Sequence, residues 1–392
     1  MTQTALERHN SSNERRLYMA MELSHKTWKL AFGVGGNPRI RQIPARDLQR
    51  LDVEIEKAKE KFKLSNDTPV VSCYEAGRDG FWIHRYLSSV KVANIVVDSS
   101  SIEVSRRKRR AKTDRIDSKK LYTMLVRYHG GEEELWSVVR IPSRKDEDER
   151  RIHRELERLQ KECIGHSNRI KSLLILHGID IKVNRRFEQA LETTVLWDGS
   201  PLGHNLKKEL TREYERWERV RRQMLEIRKE QLATVKAAKE GKDSSSKDKS
   251  VKNRMVLSLM MLCGIAERSA WPLVYEFLWR DFANRREVGN AAGLCGTPYD
   301  SGGSVREQGI SKAGSKRIRR LMVELSWCWL RYQQDSAITL WFNQRFRDGG
   351  KRMRRVGIVA VARRLLIALW RYAKYGEVPE GARFKGEDKV AA

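Results

Sequence analysis

One short stretch of this sequence, KTDRIDSKKL at residues 112–121, predicts both a helix of the fold and a pair of candidate metal ligands. It places Asp114 and Asp117 three residues apart, directly ahead of a run whose apolar residues recur at helical spacing. Residues three apart are neighbours on a helix surface, so the two carboxylates share one face. Such a pair suits a hard divalent cation, which prefers oxygen ligands. The alternative is an ordinary helix cap that binds nothing.

The composition narrows the class of partner. The chain has 392 residues, enough for two or three domains, and 79 Lys and Arg against 51 Asp and Glu give a formal net charge of +28. This charge favours a polyanion, and nucleic acid is the natural one. No membrane partner is expected, because the most apolar stretch, residues 356–370, is short and is interrupted by Arg363 and Arg364.

Two further observations predict a cytoplasmic protein. The sequence does not open with the charged, apolar and small-residue order of a secretory signal. Its five cysteines are scattered singly and without zinc spacing, which is typical of reduced thiols. The predicted location is therefore the cytoplasm.

The stretch is preceded by patterns that predict an α/β domain in the order β-β-β-α-β-α-β-α. The predicted strands are residues 17–23, 27–34, 39–43, 69–75 and 93–98, and the predicted helices are 47–62 and 81–87, before the helix with the two aspartates. Glu22 lies at the end of the first strand, and Glu75 ends a central one. In open α/β sheets, functional sites gather at strand ends.

One candidate metal site combines Glu22, Glu75, Asp114 and Asp117. Acids at two strand ends and on a covering helix can converge on a pair of cations, Mg²⁺ or Mn²⁺, that stabilise the attacking and leaving oxygens of a phosphodiester. Without a cation, four clustered acids would repel one another. Basic residues flank the aspartates and predict contact with a nucleic-acid backbone. They are Arg109, Arg110, Lys112 and Arg115.

The middle of the chain predicts a helical hairpin. From Arg144 to Leu176, and again from Leu206 to Lys239, dense charge surrounds a single apolar stripe at spacings of three, four and seven. Two such helices predict an antiparallel coiled-coil hairpin, which is either an assembly element or a plain charged surface. Residues 241–250, rich in Lys, Ser and Asp, predict a flexible linker.

A second stretch with chemical potential lies between residues 292 and 314. Its Gly- and Pro-rich backbone allows close approach to a ligand, and Ser301 stands between Asp300 and two glycines. A serine hydroxyl can attack a phosphodiester and store the bond as a phosphoserine, although most Ser-Gly pairs are turns. Nearby cations can bind the phosphate or offset its developing charge. They are Arg306, Lys312, Arg317 and Arg319.

Together these motifs resemble the DEDD transposases of the IS110 family, which includes the Piv-type DNA invertases and has an RNase H-like, RuvC-type nuclease fold. The resemblance rests on MELS (21–24) with Lys26, YEA (74–76) with Gly80, KTDRID (112–117), GLCGTP (293–298), SG (301–302) and ISKAG (310–314). It extends from about residue 17 to residue 375. Family members usually have Asp at the first acidic position, where this chain has Glu22, one methylene longer.

The resemblance implies a fold and a set of catalytic residues. The implied domains are an α/β RNase H-like (RuvC-type) domain at 17–140, a coiled-coil helical hairpin with its linker at 141–250 and a mostly α transposase domain at 251–375, between tails at 1–16 and 376–392. The family's nucleophile is the serine of the Ser-Gly pair, here Ser301, with Ser304 and Ser311 as reserves. The four acids would hold the metal.

The resemblance also implies a bacterial cytoplasmic location, in association with the nucleoid during action, and a set of partners. These are double-stranded DNA as donor and target, a structured bridge RNA encoded by the element, and further copies of the chain in a homodimer or homotetramer. Two other functions stay open at this point: a RuvC-like, junction-resolving nuclease that uses water, and a non-catalytic basic protein that only binds nucleic acid.

Overall fold

The structure, a computed structural model, describes residues 15–102, 114–240, 247–301 and 304–386. Within these ranges, the side chains of residues 100, 114–116, 247–248, 298–301 and 304–308 lie outside the description. The chain divides into two compact units, residues 1–142 and 143–392. The helical hairpin and the C-terminal helices belong to the second of them.

A five-stranded mixed sheet forms the centre of the first unit. Its strands are β1 (Leu17–Leu23), β2 (Thr27–Gly33), β3 (Arg39–Pro44), β4 (Val70–Glu75) and β5 (Ala93–Val97). Their order is β3-β2-β1-β4-β5; β2 is antiparallel to both neighbours, whereas β1, β4 and β5 are parallel. The helices are α1 (Leu48–Lys61), α2 (Trp82–Ser89) and α3 (Asp114–His129). The predicted order is confirmed, with the ends of the first seven elements correct to within two residues.

The alternation of side chains along the strands decides what covers each face of the sheet. Met21 of β1 lies in a core with Leu51 of α1, and the side chains of α2 belong to the same core. Ala20 and Ala31 belong to a second core, on the opposite face, which includes Leu121 of α3. These small side chains let α3 pack closely on the centre of the sheet.

Helices dominate the described part of the second unit. They are α4 (Arg144–Glu149), α5 (Arg151–Ile175), α6 (Phe187–Glu192), α7 (His204–Lys239), α8 (Lys247–Met261), α9 (Glu267–Leu273), α10 (Arg285–Ala291), α11 (Lys316–Tyr332), α12 (Ala337–Phe346) and α13 (Lys351–Tyr375). A π-helical turn, Val274–Leu278, continues α9, and two strands, β6 (Gly296–Ser301) and β7 (Ser304–Ile310), form a β-hairpin. The coarse fold class is therefore confirmed: an α/β first unit and a mostly helical second one. Within the described ranges, every helix is too short or too polar to cross a bilayer.

The helices α5 and α7 form the predicted antiparallel helical hairpin. The end of α5, at Ile170, shares a core with the start of α7, at Leu210. The start of α5, at Leu159, shares another with the middle of α7, at Met224. The apolar stripe of each helix is thus buried against the other, which leaves the charged faces to solvent.

Two details of the middle region differ from the prediction. The single helix predicted from Arg144 is divided into α4 and α5 at Arg150, whose guanidinium lies 4.5 Å from the centre of a Trp279 ring. Residues 247–250 are helical in α8 instead of forming a linker, and residues 241–246 lie outside the described residues. The polar start of α8 misled the prediction, because the helix is stabilised further along, where its side chains enter the core.

Candidate functional site

Two of the predicted acids end adjacent parallel strands. β1 and β4 pair in register up to Met21 and Tyr74, so Glu22 and Glu75 are the next residue on each strand. Met21 and Tyr74 belong to the core beneath α1 and α2. Because side chains alternate along a strand, Glu22 and Glu75 belong to the opposite face, which α3 covers. Adjacent strands lie about 4.8 Å apart, so the Glu22 and Glu75 residues lie side by side at one end of this face.

The helix α3 crosses that face antiparallel to β1. Near the middle of the sheet, the Cys73 thiol donates a weak hydrogen bond to the Leu121 carbonyl over 3.9 Å. At the far end of α3, the rings of His129 and Tyr18 meet edge to face with their centres 5.7 Å apart. Tyr18 lies at the start of β1, so the first turn of α3 points toward the end of β1 and β4.

This direction points the first turn of α3 toward the strand-end acids. Asp117 precedes Leu121 by four residues, about 6 Å along a helix axis. Glu75 follows Cys73 by two residues, about 6.6 Å along a strand. These rises predict Asp117 near the level of Glu75, above the same sheet face, although the described side chains of Glu22, Glu75 and Asp117 do not by themselves form a metal-binding group. Asp114 begins the helix one turn earlier, and its side chain lies outside the described residues.

This edge of the sheet has the donor chemistry of a divalent cation site. Its candidate ligands are all carboxylates, which suit Mg²⁺ or Mn²⁺ better than zinc. Among the described side chains, no three His, Cys, Asp or Glu groups approach closely enough to hold a metal ion by themselves. Asp114 falls outside that set, so the four-acid metal site stays a prediction. The flanking cations Arg109, Arg110 and Lys112, and the Arg115 side chain, also lie outside the described residues.

The predicted nucleophile, Ser301, is the last residue of β6, at the tip of the β-hairpin. Its backbone pairs with Ser304, and residues 302–303 connect the two. The sequence of this region, rich in Gly and Pro, does not predict strands, whereas the structure has two paired ones. The side chains of Ser301, Ser304 and Arg306 lie outside the described residues. The backbone pairing thus places the predicted nucleophile, Ser301, beside its first alternative, Ser304, whereas Ser311, the second alternative, is exposed at the base of the β-hairpin.

Backbone hydrogen bonds fasten the base of the β-hairpin to the turn that precedes it. The Ser311 N–H donates to the Cys295 carbonyl over 2.8 Å, and the Ser315 N–H donates to the Ala291 carbonyl over 2.9 Å. The segment after β7 therefore lies directly against the segment before β6. This contact fixes where the β-hairpin leaves the helical core.

Two glycines make this contact possible. Gly293 and Gly314 have φ angles of 66° and 94°, in the left-handed region that favours glycine. A Cβ on Gly293 would lie 2.0 Å from the Ala313 carbonyl oxygen, and one on Gly314 would lie 2.3 Å from the Ala291 carbonyl oxygen. The sequence interpretation of these glycines, close approach to a ligand, is therefore wrong for this pair: the chain approaches itself.

We expect Gly293→Ala to destabilise the second unit by about 3 kcal/mol, because it combines a left-handed backbone with a clash against a fixed carbonyl. The loss should appear as a lower midpoint of denaturant unfolding. Gly165→Ala is the matched control: this glycine lies inside α5 with open space around it, so the change should stabilise by about 0.5–1 kcal/mol. Equal midpoints for wild type and Gly293→Ala would contradict the steric account.

Two of the predicted phosphate ligands are engaged within the second unit. The Arg319 guanidinium donates to the Ala292 carbonyl over 3.1 Å, and the Arg317 guanidinium donates to Glu276 over 2.8 Å. Lys312, by contrast, is exposed at the base of the β-hairpin. Arg317 and Arg319 thus support the fold, and their contact with nucleic acid stays a prediction.

Glu276 lies at the centre of a buried charge cluster and is 7% exposed. Arg154 donates to both of its carboxylate oxygens, over 2.5 and 2.7 Å, and His153 and Arg317 lie 2.9 and 2.8 Å from one of them. Burial by itself would raise the pKa of Glu276. The hydrogen bonds and charges of Arg154 and His153 outweigh it and hold the pKa well below its ordinary value. The cluster joins α5 and α11 through the π-helical turn.

We expect Glu276→Gln to destabilise the protein by about 3 kcal/mol at pH 7, because Arg154 would lose the carboxylate that accepts both of its hydrogen bonds, whereas Arg317 would keep its ion pair with Glu157. A carboxyl with a depressed folded-state pKa stabilises fully above its unfolded value, and this stabilisation is lost as pH falls through the folded-state pKa. Urea unfolding should therefore show a smaller loss of stability from pH 7 to pH 3 for the variant than for wild type.

The control for this variant is Glu155→Gln, at an exposed acid of the same helix as His153 and Arg154. It should change stability by no more than about 0.5 kcal/mol. If Glu276→Gln matches it at pH 7, the cluster does not hold α5 to the core.

Comparison with known proteins decides the family. Residues 257–341, which run from α8 into α12 and contain both strands of the β-hairpin, match the model of the transposase IS116/IS110/IS902 family. Over 379 residues the chain is 37% identical to a Sinorhizobium fredii (strain NBRC 101917 / NGR234) protein described as a transposase, y4rJ, with 94% of each chain covered. The chain belongs to this transposase family. The resemblance to IS110-family transposases is thereby confirmed.

Sequence reasoning missed a basic groove in the second unit of the transposase. The groove has a volume of about 1480 Å³ and lies among α10, α12, α13 and the base of the β-hairpin. Its lining contains two acids, Glu377 and Glu380, and nine cations. The cations are Arg285, Arg286, Lys312, Lys351, Arg352, Arg355, Arg363, Arg364 and Arg371. A signal was available in the sequence, because α13 contains eight Lys and Arg residues and no acid.

Proposed function

We propose that this transposase cuts and rejoins DNA with Ser301 as its nucleophile. The observation that carries the proposal is the place of Ser301, at the tip of a β-hairpin inside the region that matches the family. Backbone hydrogen bonds fix the base of that β-hairpin, so the tip has a rigid support. A hairpin tip stands away from the helices that carry it, which suits a group that must reach a bound strand.

The proposed reaction is a transesterification. The Ser301 Oγ forms a bond to phosphorus while the bond from phosphorus to the 3′ oxygen breaks, and the serine proton ends on the released 3′ hydroxyl. The product is a phosphoserine that holds the 3′ (downstream) part of the strand through its 5′ phosphate, while the 5′ part leaves with a free 3′ hydroxyl. Attack by another 3′ hydroxyl reverses the step and joins new ends. The phosphodiester energy is conserved, so the reaction needs no nucleotide cofactor.

The acids of the first unit would assist this step, in a domain that we propose to be RNase H-like. Glu22 and Glu75 end adjacent parallel strands of a mixed sheet, and the first turn of α3, with Asp114 and Asp117, lies at the same edge. These four carboxylates would hold Mg²⁺ or Mn²⁺, which would supply positive charge to stabilise the leaving oxygen. The basic residues ahead of α3 would contact the phosphates nearby.

The proposal includes an element-encoded bridge RNA that directs the choice of DNA. The net charge of +28 suits a protein that holds structured RNA by shape and phosphate. Recombination holds two duplexes at once, so the proposed assembly is a homodimer or homotetramer, with the helical hairpin α5–α7 as its coiled-coil contact. Purification from cells that carry the flanking DNA, followed by sequencing of bound RNA, should yield one structured species. Recovery of bulk cellular RNA would contradict this partner.

The chemistry is tested by incubating the protein with DNA that carries the element's ends and Mg²⁺. The expected products are recombined strands and a covalent protein–DNA adduct that survives denaturation. Digestion of the adduct should leave a nucleotide on the peptide that contains Ser301. Cut strands without any adduct would replace the proposal by a water-dependent nuclease, which needs only the acids.

A further inference from the structure

The basic groove holds positive charge that the described carboxylates do not compensate. Arg371 lies 3.8 Å from Glu377, and the other eight cations of its lining form no ion pair with a described acid. Arg352 and Arg355 are both exposed on α13. Like charges held this close repel one another and destabilise the free protein, and a bound polyanion relieves the repulsion.

The start of α13 adds to this imbalance. Lys351 and Arg352 begin the helix, and its first turn contains no acid. The helix dipole makes this end positive, so cations are unfavourable there, whereas an anion is favourable. Gly350, the residue before the helix, offers no side-chain cap. Acids usually stabilise the first turn of a helix, and α13 has cations there instead. A phosphate bound at this end would supply the missing negative charge.

The floor of the groove is apolar, which favours an unpaired strand over a duplex. Val356 is 52% exposed, and Ile338 and Val359 line the same surface. The exposed Arg364 guanidinium lies 3.8 Å from the centre of the Trp341 ring, so the pair offers a platform on which a base can stack. A duplex presents phosphates outward and leaves such a floor uncovered, whereas the bases of a single strand cover it.

We propose that this groove binds an unpaired DNA strand and leads it toward the tip of the β-hairpin. The groove reaches the base of the β-hairpin at Gly296, Gly309 and Lys312. Ser301 lies five residues beyond Gly296 on β6, about 17 Å at 3.3 Å per residue. The identity of the strand as the DNA that Ser301 cuts rests on the proposed function. The charge and the stacking platform rest on the groove itself.

The test is equilibrium binding of a labelled single-stranded DNA oligonucleotide to the full-length protein, measured by fluorescence anisotropy at several salt concentrations. Arg352→Ala combined with Arg355→Ala should weaken binding about tenfold and lower the slope of log affinity against log salt by about 1.4, since each single-strand phosphate contact contributes about 0.7. The unfolding midpoint of this variant should equal or exceed that of wild type, because the lost charges are unfavourable in the free protein.

The matched control removes two other exposed arginines of the same unit. Arg185 and Arg186 lie ahead of α6, outside the groove lining, and their replacement by Ala should leave the affinity unchanged. The inference is overturned by wild-type affinity of the groove variant. An equal loss for a duplex oligonucleotide overturns it too, as does tighter groove-dependent binding of RNA of the same sequence.

The Ser301→Ala variant separates this inference from the proposed function. It should bind single-stranded DNA with wild-type affinity, because its change lies at the far end of β6. If that variant still cuts and forms the adduct, the proposed nucleophile is wrong while the binding result for the groove stands. If the groove variant binds normally, the groove is wrong whatever Ser301 does.

Discussion

Replacing Ser301 by Ala should abolish DNA strand cleavage by the transposase, with a loss of at least about 10³-fold, because a methyl group cannot form the bond to phosphorus. The covalent protein–DNA adduct should disappear with it. Both are measured on denaturing gels with end-labelled DNA that carries the element's ends. The variant should keep the wild-type unfolding midpoint, which excludes misfolding as the cause.

Ser304→Ala and Ser311→Ala are the matched controls, since each removes one hydroxyl close to the same β-hairpin. Both should keep the adduct. If Ser304→Ala loses the adduct and Ser301→Ala keeps it, the nucleophile is Ser304, the residue that pairs with Ser301. Continued cutting by all three variants would favour water as the nucleophile, as in a junction-resolving nuclease.

Replacing Asp117 by Asn should reduce cleavage at least about 10²-fold, because one ligand charge for the proposed cation is lost. Asn keeps the shape of the side chain and the helix of α3, so the effect reports on charge. The variant should also need more Mg²⁺ for half-maximal cleavage. Calorimetric titration with Mg²⁺ should show weaker binding, a readout that does not depend on turnover.

Glu60→Gln is the control, at an exposed acid of α1. This helix packs on the face of the sheet opposite to α3, so the change should leave cleavage and Mg²⁺ binding as in wild type. If Asp117→Asn behaves in the same way, the acids of the first turn of α3 are ordinary helix-end residues. The protein would then cut without the proposed metal site.

The first unit was predictable from local patterns because each of its elements is specified within a few residues. Strand alternation at Thr27–Gly33 and the helical spacing of Leu48–Lys61 are visible without tertiary contacts. The ends of the strands were also predictable from the local pattern of apolar residues, and with them the positions of Glu22 and Glu75 at strand ends. What local patterns cannot show is that α3 returns antiparallel to β1, which points its first turn toward the end of the sheet where Glu75 lies.

The second unit was less predictable because its features depend on distant partners. The strands β6 and β7 pair with each other, and their Gly- and Pro-containing sequence is typical of loops. Glu276 is an acid in an apolar helical segment, and its hydrogen-bond partner His153 lies 123 residues away along the chain. The basic groove needs α10, α12 and α13 to meet, so the charge of α13 by itself did not locate it.

The crossing of Gly293 and Gly314 has a consequence for how such chains can change. Each glycine is confined by the backbone of the other's segment, so a larger residue at either position has no room that a second substitution could open. The segments around Gly293 and Gly314, about twenty positions apart in sequence, are therefore expected to change together in evolution. When segments are exchanged between related transposases to make chimeras, both glycine segments should come from the same parent. The breakpoint should therefore lie before Gly293 or after Gly314, and not between them.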